Sequence, residues 1–167
     1  MNVRPARAAD LEELLAVHRA AFGRREEADM AAAIVESGQF PPELSLAAVA
    51  DDRIVGHVIS SWVGLAGSKQ RLLQLGPIGV LPELQGRGIG SALVQASLEA
   101  ARALGEPVLL LEGHPAYYGR FGFVRADELG LLPPPEALYD WAFQVAVLDE
   151  RAELPRGRIV YPSTFVH

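Results

Sequence analysis

Gln85-Gly86-Arg87-Gly88-Ile89-Gly90-Ser91 is the stretch on which the fold turns. It follows a β-rich run, Arg71 to Val80, and opens a segment in which Ile89, Leu93, Val94, Leu98, Ala101 and Leu104 share one helical stripe before Gly105 stops it. Next comes Pro107 to Leu111, an apolar run too short for a helix and bounded by turn residues, as a strand buried on both faces would be. Strand, loop, helix, strand is a βαβ unit, so the expected class is α/β with a mixed sheet. The loop glycines have a physical task. Amides that all point at one anion need backbone conformations and close approach that a β-carbon obstructs, and a helix N-terminus behind them adds partial positive charge. Arg87 adds a full one.

On the N-terminal side, Asp10 with Glu13 reads as a capping box for a helix ended by Gly23, and Glu26 to Ser37 predicts a second helix ended by Gly38. Leu44 to Ala50 and Arg53 to Trp62, joined by Asp51-Asp52, read as an antiparallel hairpin. On the C-terminal side we expect a Tyr-rich turn, a strand near Phe121 to Arg125, a loop at Pro133-Pro134-Pro135 and a β-rich run from Tyr139 to Leu148. No repeat or low-complexity linker interrupts the 167 residues, so residues 1–167 are expected to form a single domain.

Composition narrows the function. There is no cysteine, which removes disulfides, thiolate metal sites and cysteine nucleophiles and suits a reducing compartment. The 15 basic residues are outnumbered by 21 acidic ones, against the basic footprint of a nucleic-acid binder, so a polyanionic ligand must find a local positive site. Charges break up the N-terminus and no uncharged apolar run nears the roughly 20 residues of a bilayer helix. A cytoplasmic protein without a leader, nucleic-acid partner or membrane partner is expected.

Three nucleotide readings compete for the loop. A P-loop needs Gly-Lys-Ser/Thr at its end, whereas this one ends Gly90-Ser91-Ala92. A dinucleotide fingerprint needs Gly-x-Gly-x-x-Gly directly after its strand; here Gly86 and Gly88 are followed by Ser91, and Leu81 to Gln85 intervene. The third reading is coenzyme A. Gln85-x-x-Gly88-x-Gly90 matches the Gln/Arg-x-x-Gly-x-Gly/Ala motif of the GNAT superfamily of N-acetyltransferases, and Tyr117-Tyr118-Gly119-Arg120-Phe121-Gly122-Phe123 resembles that family's late Tyr-x-x-x-Gly-Phe segment. The likeness covers about Arg53 to Arg125 and is thin beyond. With His114-Pro115 before the tyrosines, the chain looks like a bacterial subgroup of uncharacterised predicted acetyltransferases.

The resemblance implies a GNAT fold, a mixed and centrally splayed sheet flanked by helices, and acetyl transfer from acetyl-coenzyme A directly to a primary amine in a ternary complex. It implies that Ile78, Gly79 and Val80 lie along the pantetheine, and that Gln85, Gly86, Arg87, Gly88, Ile89, Gly90 and Ser91 hold the pyrophosphate. Tyr117 would border the cofactor, and Tyr118 would sit near its sulfur as a proton donor to the departing thiolate. Phe121 and Phe123 are expected to be core. No acid lies on Arg71 to Val80, where many relatives carry their base, so Glu112, His114 and His57 remain candidates; His18 and His167 carry no expected role. The acceptor is expected to be a small-molecule or peptide amine, with a homodimer paired through Tyr139 to Leu148 as its apolar edge. The alternative is a non-catalytic acetyl-coenzyme A sensor or partner domain.

Overall fold

The computed structural model describes residues 1–165; His167 lies outside them. Backbone contacts divide the described chain into two compact units, 1–61 with 75–100, and 62–74 with 101–165.

The first unit begins with a strand the sequence did not announce, β1 (Asn2–Pro5). It is followed by α1 (Leu11–Phe22) and α2 (Glu26–Ser37), which end as predicted on Gly23 and Gly38 with φ of 65° and 68°, a left-handed region that glycine enters without strain. The expected capping box is not formed. The Asp10 carboxylate instead accepts from the Arg7 amide at 2.8 Å and from Arg4 at 2.7 Å, while Glu13 accepts from the Ile54 amide at 2.6 Å and ties α1 to a strand. That strand belongs to the predicted hairpin, β2 (Ser45–Ala50) and β3 (Arg53–Leu65), which closes on Asp51 and Asp52 at φ of 50° and 59°. β1, β2 and β3 pair antiparallel.

A register shift at Ala48/Val49 leaves Val55 as an extra residue in β3. Two residues three apart normally face opposite sides of a strand, yet Ile54 joins the cluster of Leu14, Val17 and Ala47 under α1, and His57 bonds a side chain of the same helix. Burying Leu14 and Val17 there contributes roughly 1.5–3 kcal/mol each. Gly56 faces the other way: a β-carbon on it would lie 3.1 Å from both Ile89 and Leu93 of α3 (Ile89–Ala103). Helices thus cover both faces. Between them in sequence runs β4 (Arg71–Val80), whose Leu75–Val80 end belongs to this unit.

In the second unit, β5 (Val108–Glu112) is buried at every position but its last, as the apolar run predicted. It pairs parallel with β4 at Leu73↔Leu109 and Gln74↔Leu110. Beyond it lie α4 (Pro115–Tyr118), β6 (Val124–Arg125), β7 (Leu131–Leu132), β8 (Phe143–Val147) and β9 (Gly157–Val160). The strand expected at Phe121 to Arg125 is only two residues long, because Gly119–Phe121 forms a 3-10 turn that ends on Gly122 at φ 93°. Phe123 is buried as expected, whereas Phe121 is only half-buried.

The β-rich run from Tyr139 to Leu148 is likewise shorter than expected, since Tyr139 and Trp141 stack on each other in an exposed turn ahead of β8. Nor is β8 a free edge: it pairs antiparallel with β5 over five positions and with β6 at Val124↔Val145 and Arg125↔Gln144. The open edge expected along Tyr139 to Leu148 is thus covered by β6 at Gln144 and Val145. Leu72, Val108, Leu110, Phe143, Val145 and Ile159 form the core of this unit. Antiparallel and parallel pairs coexist, so the sheet is mixed and the class α/β, as the sequence implied.

Candidate active site

The glycine loop lies entirely in the first unit. Gly86 and Gly88 take φ of 76° and 85°, and a β-carbon on either would meet nothing within 4 Å, so the loop faces open space. The first turn of α3 closes with Ala92 N–H donating to Gly88 C=O at 3.0 Å. The first amides of a helix have no acceptor within their own helix, and such an end is a common place for an anion to bind. Arg87 is exposed beside them. The glycines, the helix end and the guanidinium suit a phosphate-bearing ligand.

Gln85 has partners within the protein. Its Nε2 donates to the Val80 carbonyl at 3.0 Å and its amide to Pro82 C=O at 3.3 Å, so it fastens the loop to the end of β4. Gly79 is also required by packing. A β-carbon there would stand 3.0 Å from His18 Nδ1 and 3.2 Å from Ala21 Cβ on α1. Ile78 is half-buried and Val80 buried.

His57, a candidate base, is buried: its Nδ1 faces His18 Nε2 at 2.9 Å and its Nε2 faces Ser45 Oγ at 2.9 Å. Burial lowers His18 to about 4, and burial with the neighbouring His18 lowers His57 to about 3. Both rings are neutral at pH 7 and buried in the core.

The remaining candidates lie in the second unit, on the turn that leaves β5. Gly113 is held from both sides, its N–H donating to Ala142 C=O at 2.9 Å and its carbonyl accepting from Gln144 Nε2 at 2.8 Å. The Tyr118 ring packs directly on it, and a β-carbon at 113 would overlap Cδ2 at 2.7 Å. Burial pushes the Tyr118 phenol up to about 12, so it keeps its proton at any physiological pH. Tyr117 is half-buried, edge-on to Tyr118, with the Arg120 guanidinium 4.4 Å over its ring.

His114 caps α4. Its Nδ1 accepts from Ala116 N–H at 3.1 Å, which places the proton of the neutral ring on Nε2 and leaves no free lone pair to serve as a base. Glu112 has no such commitment. It keeps solvent contact, yet the protein crowding its carboxyl raises it above the usual range, an effect partly offset by a hydrogen bond from Tyr161. Tyr161 in turn accepts from Gln74 Nε2 at 2.7 Å. Neither residue was singled out from the sequence, although Gln74 is the one polar residue inside Leu72-Leu73-Gln74-Leu75.

The model of the acetyltransferase (GNAT) domain family matches residues 2–126. The chain belongs to that family. Among curated proteins it is 34% identical over 116 residues to the uncharacterized N-acetyltransferase YjhQ of Escherichia coli, over 68% of this chain and 64% of that protein. The matched stretch thus spans less than two thirds of that relative. Two solved GNAT-family structures cover nearly the whole chain. One is the N-acetyltransferase YhbS of Escherichia coli in complex with CoA, with a TM-score of 0.90 and 27% identity over 99% of this chain and 92% of that one. The other is an acetyltransferase from Brucella melitensis in complex with acetyl-CoA, with a TM-score of 0.80 and 30% identity over 98% and 97%. Among the described residues no helix is long and apolar enough to cross a membrane, and no His/Asp/Glu group is placed to hold a metal ion.

Proposed function

We propose that this GNAT-family chain acts as one domain, an enzyme that acetylates a primary amine on a small molecule or peptide with acetyl-coenzyme A as co-substrate. The observation that carries the reading is the open, left-handed glycine loop at the start of α3, in the family whose solved members at TM-scores of 0.90 and 0.80 hold CoA and acetyl-CoA. Acetyl-coenzyme A supplies the activated acetyl thioester. The amides of Gly86 to Ser91, with Arg87, bind its pyrophosphate, and the Ile78 to Val80 end of β4 offers backbone groups along the pantetheine.

Direct transfer needs a neutral amine and a steadied leaving sulfur. Glu112, raised by its surroundings, takes the proton from the acceptor's ammonium group. Tyr118, still protonated, donates to the departing thiolate, whose conjugate acid has a pKa near 8.5. The net formal charge of −6 favours a cationic acceptor in general without selecting one, and a chain with no cysteine suits the reducing cytoplasm.

The test is calorimetric titration with acetyl-coenzyme A, with NAD and ATP as controls, followed by CoA release with spermidine, kanamycin, free amino acids and an N-terminal peptide. Saturable binding of acetyl-coenzyme A alone and release with one of these amines are expected. No binding by the folded chain refutes the reading.

A further inference from the structure

Leu138, Tyr139 and Trp141 are 85%, 58% and 43% exposed, large apolar side chains set close together on the turn ahead of β8. Apolar surface kept together in water costs free energy, which a bound group recovers. The rings are held in place. Their centroids stand 5.3 Å apart with planes at 25°, and His114 meets Trp141 edge-on at 6.1 Å. Ala142, next in the chain, donates its N–H to Tyr139 C=O at 3.1 Å, and its own carbonyl accepts from Gly113 N–H at 2.9 Å. The turn is thereby tied to the loop that leaves β5 directly after Glu112, and Phe143 pairs with Glu112 across the ladder. The stack and Glu112 stand at the same end of that ladder.

Charge selects what can cover the stack. An aromatic ring is negative over its face, so a cation placed there is attracted. The chain uses this arrangement internally: Arg71 lies 4.5 Å from the centroid of Trp62, and Arg120 lies 4.4 Å from that of Tyr117. Trp141 is the other tryptophan of the sequence, and among the described residues no basic side chain lies over it or over Tyr139. Exposed Asp140 stands between the two in the chain, and exposed Glu136 shortly before them. Asp140 has no ion pair among the described residues, while Arg125, on the strand paired with β8, is held by Asp127 at 2.6 and 3.0 Å. Ring faces flanked by carboxylates suit a cation brought by a ligand and repel an anion.

We propose that the Tyr139–Trp141 stack, with Asp140, is a cation platform for a second positive group on the acceptor, so that the enzyme prefers primary amines that also carry a guanidinium or a further ammonium. The inference rests on the acetyl transfer proposed above and narrows its substrate class.

The experiment follows the Trp141 indole N–H by NMR in the whole 15N-labelled chain, assigned with Trp141→Phe, during titration with agmatine and with N-carbamoylputrescine. The two ligands share a primary amine, a butyl chain and a flat terminal group, but only agmatine is charged at that end. Agmatine should move the resonance saturably and bind about three- to tenfold tighter than its neutral counterpart. CoA release should favour agmatine by a similar factor in kcat/KM, and Asp140→Asn and Tyr139→Leu should each shrink it. A resonance that neither ligand moves, or equal affinity for the two, overturns the inference, and the proposed function still stands if any amine releases CoA. Movement with agmatine but no CoA release from any amine supports the cation platform and refutes the acetyl transfer instead. A resonance that shifts with protein concentration alone places a second copy over the stack, which also overturns the inference.

Discussion

Tyr118 lies so closely over Gly113 that a β-carbon at that glycine would meet two carbons of its ring. Gly113 cannot retreat, because its amide and carbonyl are held by Ala142 and Gln144. Gly113→Ala must therefore displace the ring, at a cost of roughly 1–3 kcal/mol in urea unfolding. In a Tyr118→Ala background the same substitution should cost far less, since the obstructing ring is gone. Equal costs in the two backgrounds would contradict the packing.

Tyr118→Phe keeps the ring and removes only the proton donor. With the phenol pushed up to about 12, the group donates across the working pH range, so its loss should lower kcat about 100-fold while acetyl-coenzyme A affinity stays as in the wild type. Steady-state CoA release and calorimetry read the two quantities separately. Undiminished kcat would remove Tyr118 from the chemistry.

The loop glycines are not equivalent. Gly88 sits at φ 85° and Gly86 at φ 76°, whereas Gly90 lies within α3 outside the left-handed region. Gly88→Val strains the backbone and disturbs the amides together, which should weaken acetyl-coenzyme A binding by roughly tenfold or more. Gly90→Val should weaken it less, and Arg87→Ala should also cost less than Gly88→Val because the amides remain. Calorimetric Kd values that place Gly90→Val or Arg87→Ala above Gly88→Val would contradict the ranking.

What could be read in advance follows the range of the interactions. The stripe of α3 from Ile89 to Ala101, the burial of β5 from Val108 to Leu111 and the glycine ends of α1 and α2 are local patterns that the structure has where the sequence put them, whereas Leu104, expected on the same stripe, lies past the end of α3 and is exposed. β1 escaped notice because four residues with an Arg and a Pro become a strand only through β2, more than forty residues away. Glu13 misled for the same reason: its carboxylate serves Ile54, not its own helix. In the site, the loop was legible as a motif, but the use of Gln85 as a fastener was not. Tyr161 was invisible, since nothing around Val160-Tyr161-Pro162 signals that its hydroxyl accepts from Gln74, 87 residues away.

The buried pair His18 and His57 predicts how the protein responds to acid. Both folded-state values, about 4 and about 3, lie below the ordinary histidine value of 6.5, mainly because burial disfavours the charged rings. The unfolded chain therefore takes up protons below pH 6.5 that the folded chain refuses, and stability from this source is full above 6.5 and falls as pH drops toward 4. Glu106 and Glu112 act in the opposite sense, their values raised by burial, whereas Asp10 and Asp127, held low by hydrogen bonds from Arg4 and Arg125, add to the loss of stability in acid. Urea midpoints should fall between pH 7.5 and pH 5, with proton uptake on unfolding. Over the same interval the imidazole 13C resonances of His18 and His57 should stay those of neutral rings. If either ring titrates near 6.5 in the folded protein, the buried pair is not held neutral and the acid response must come from elsewhere.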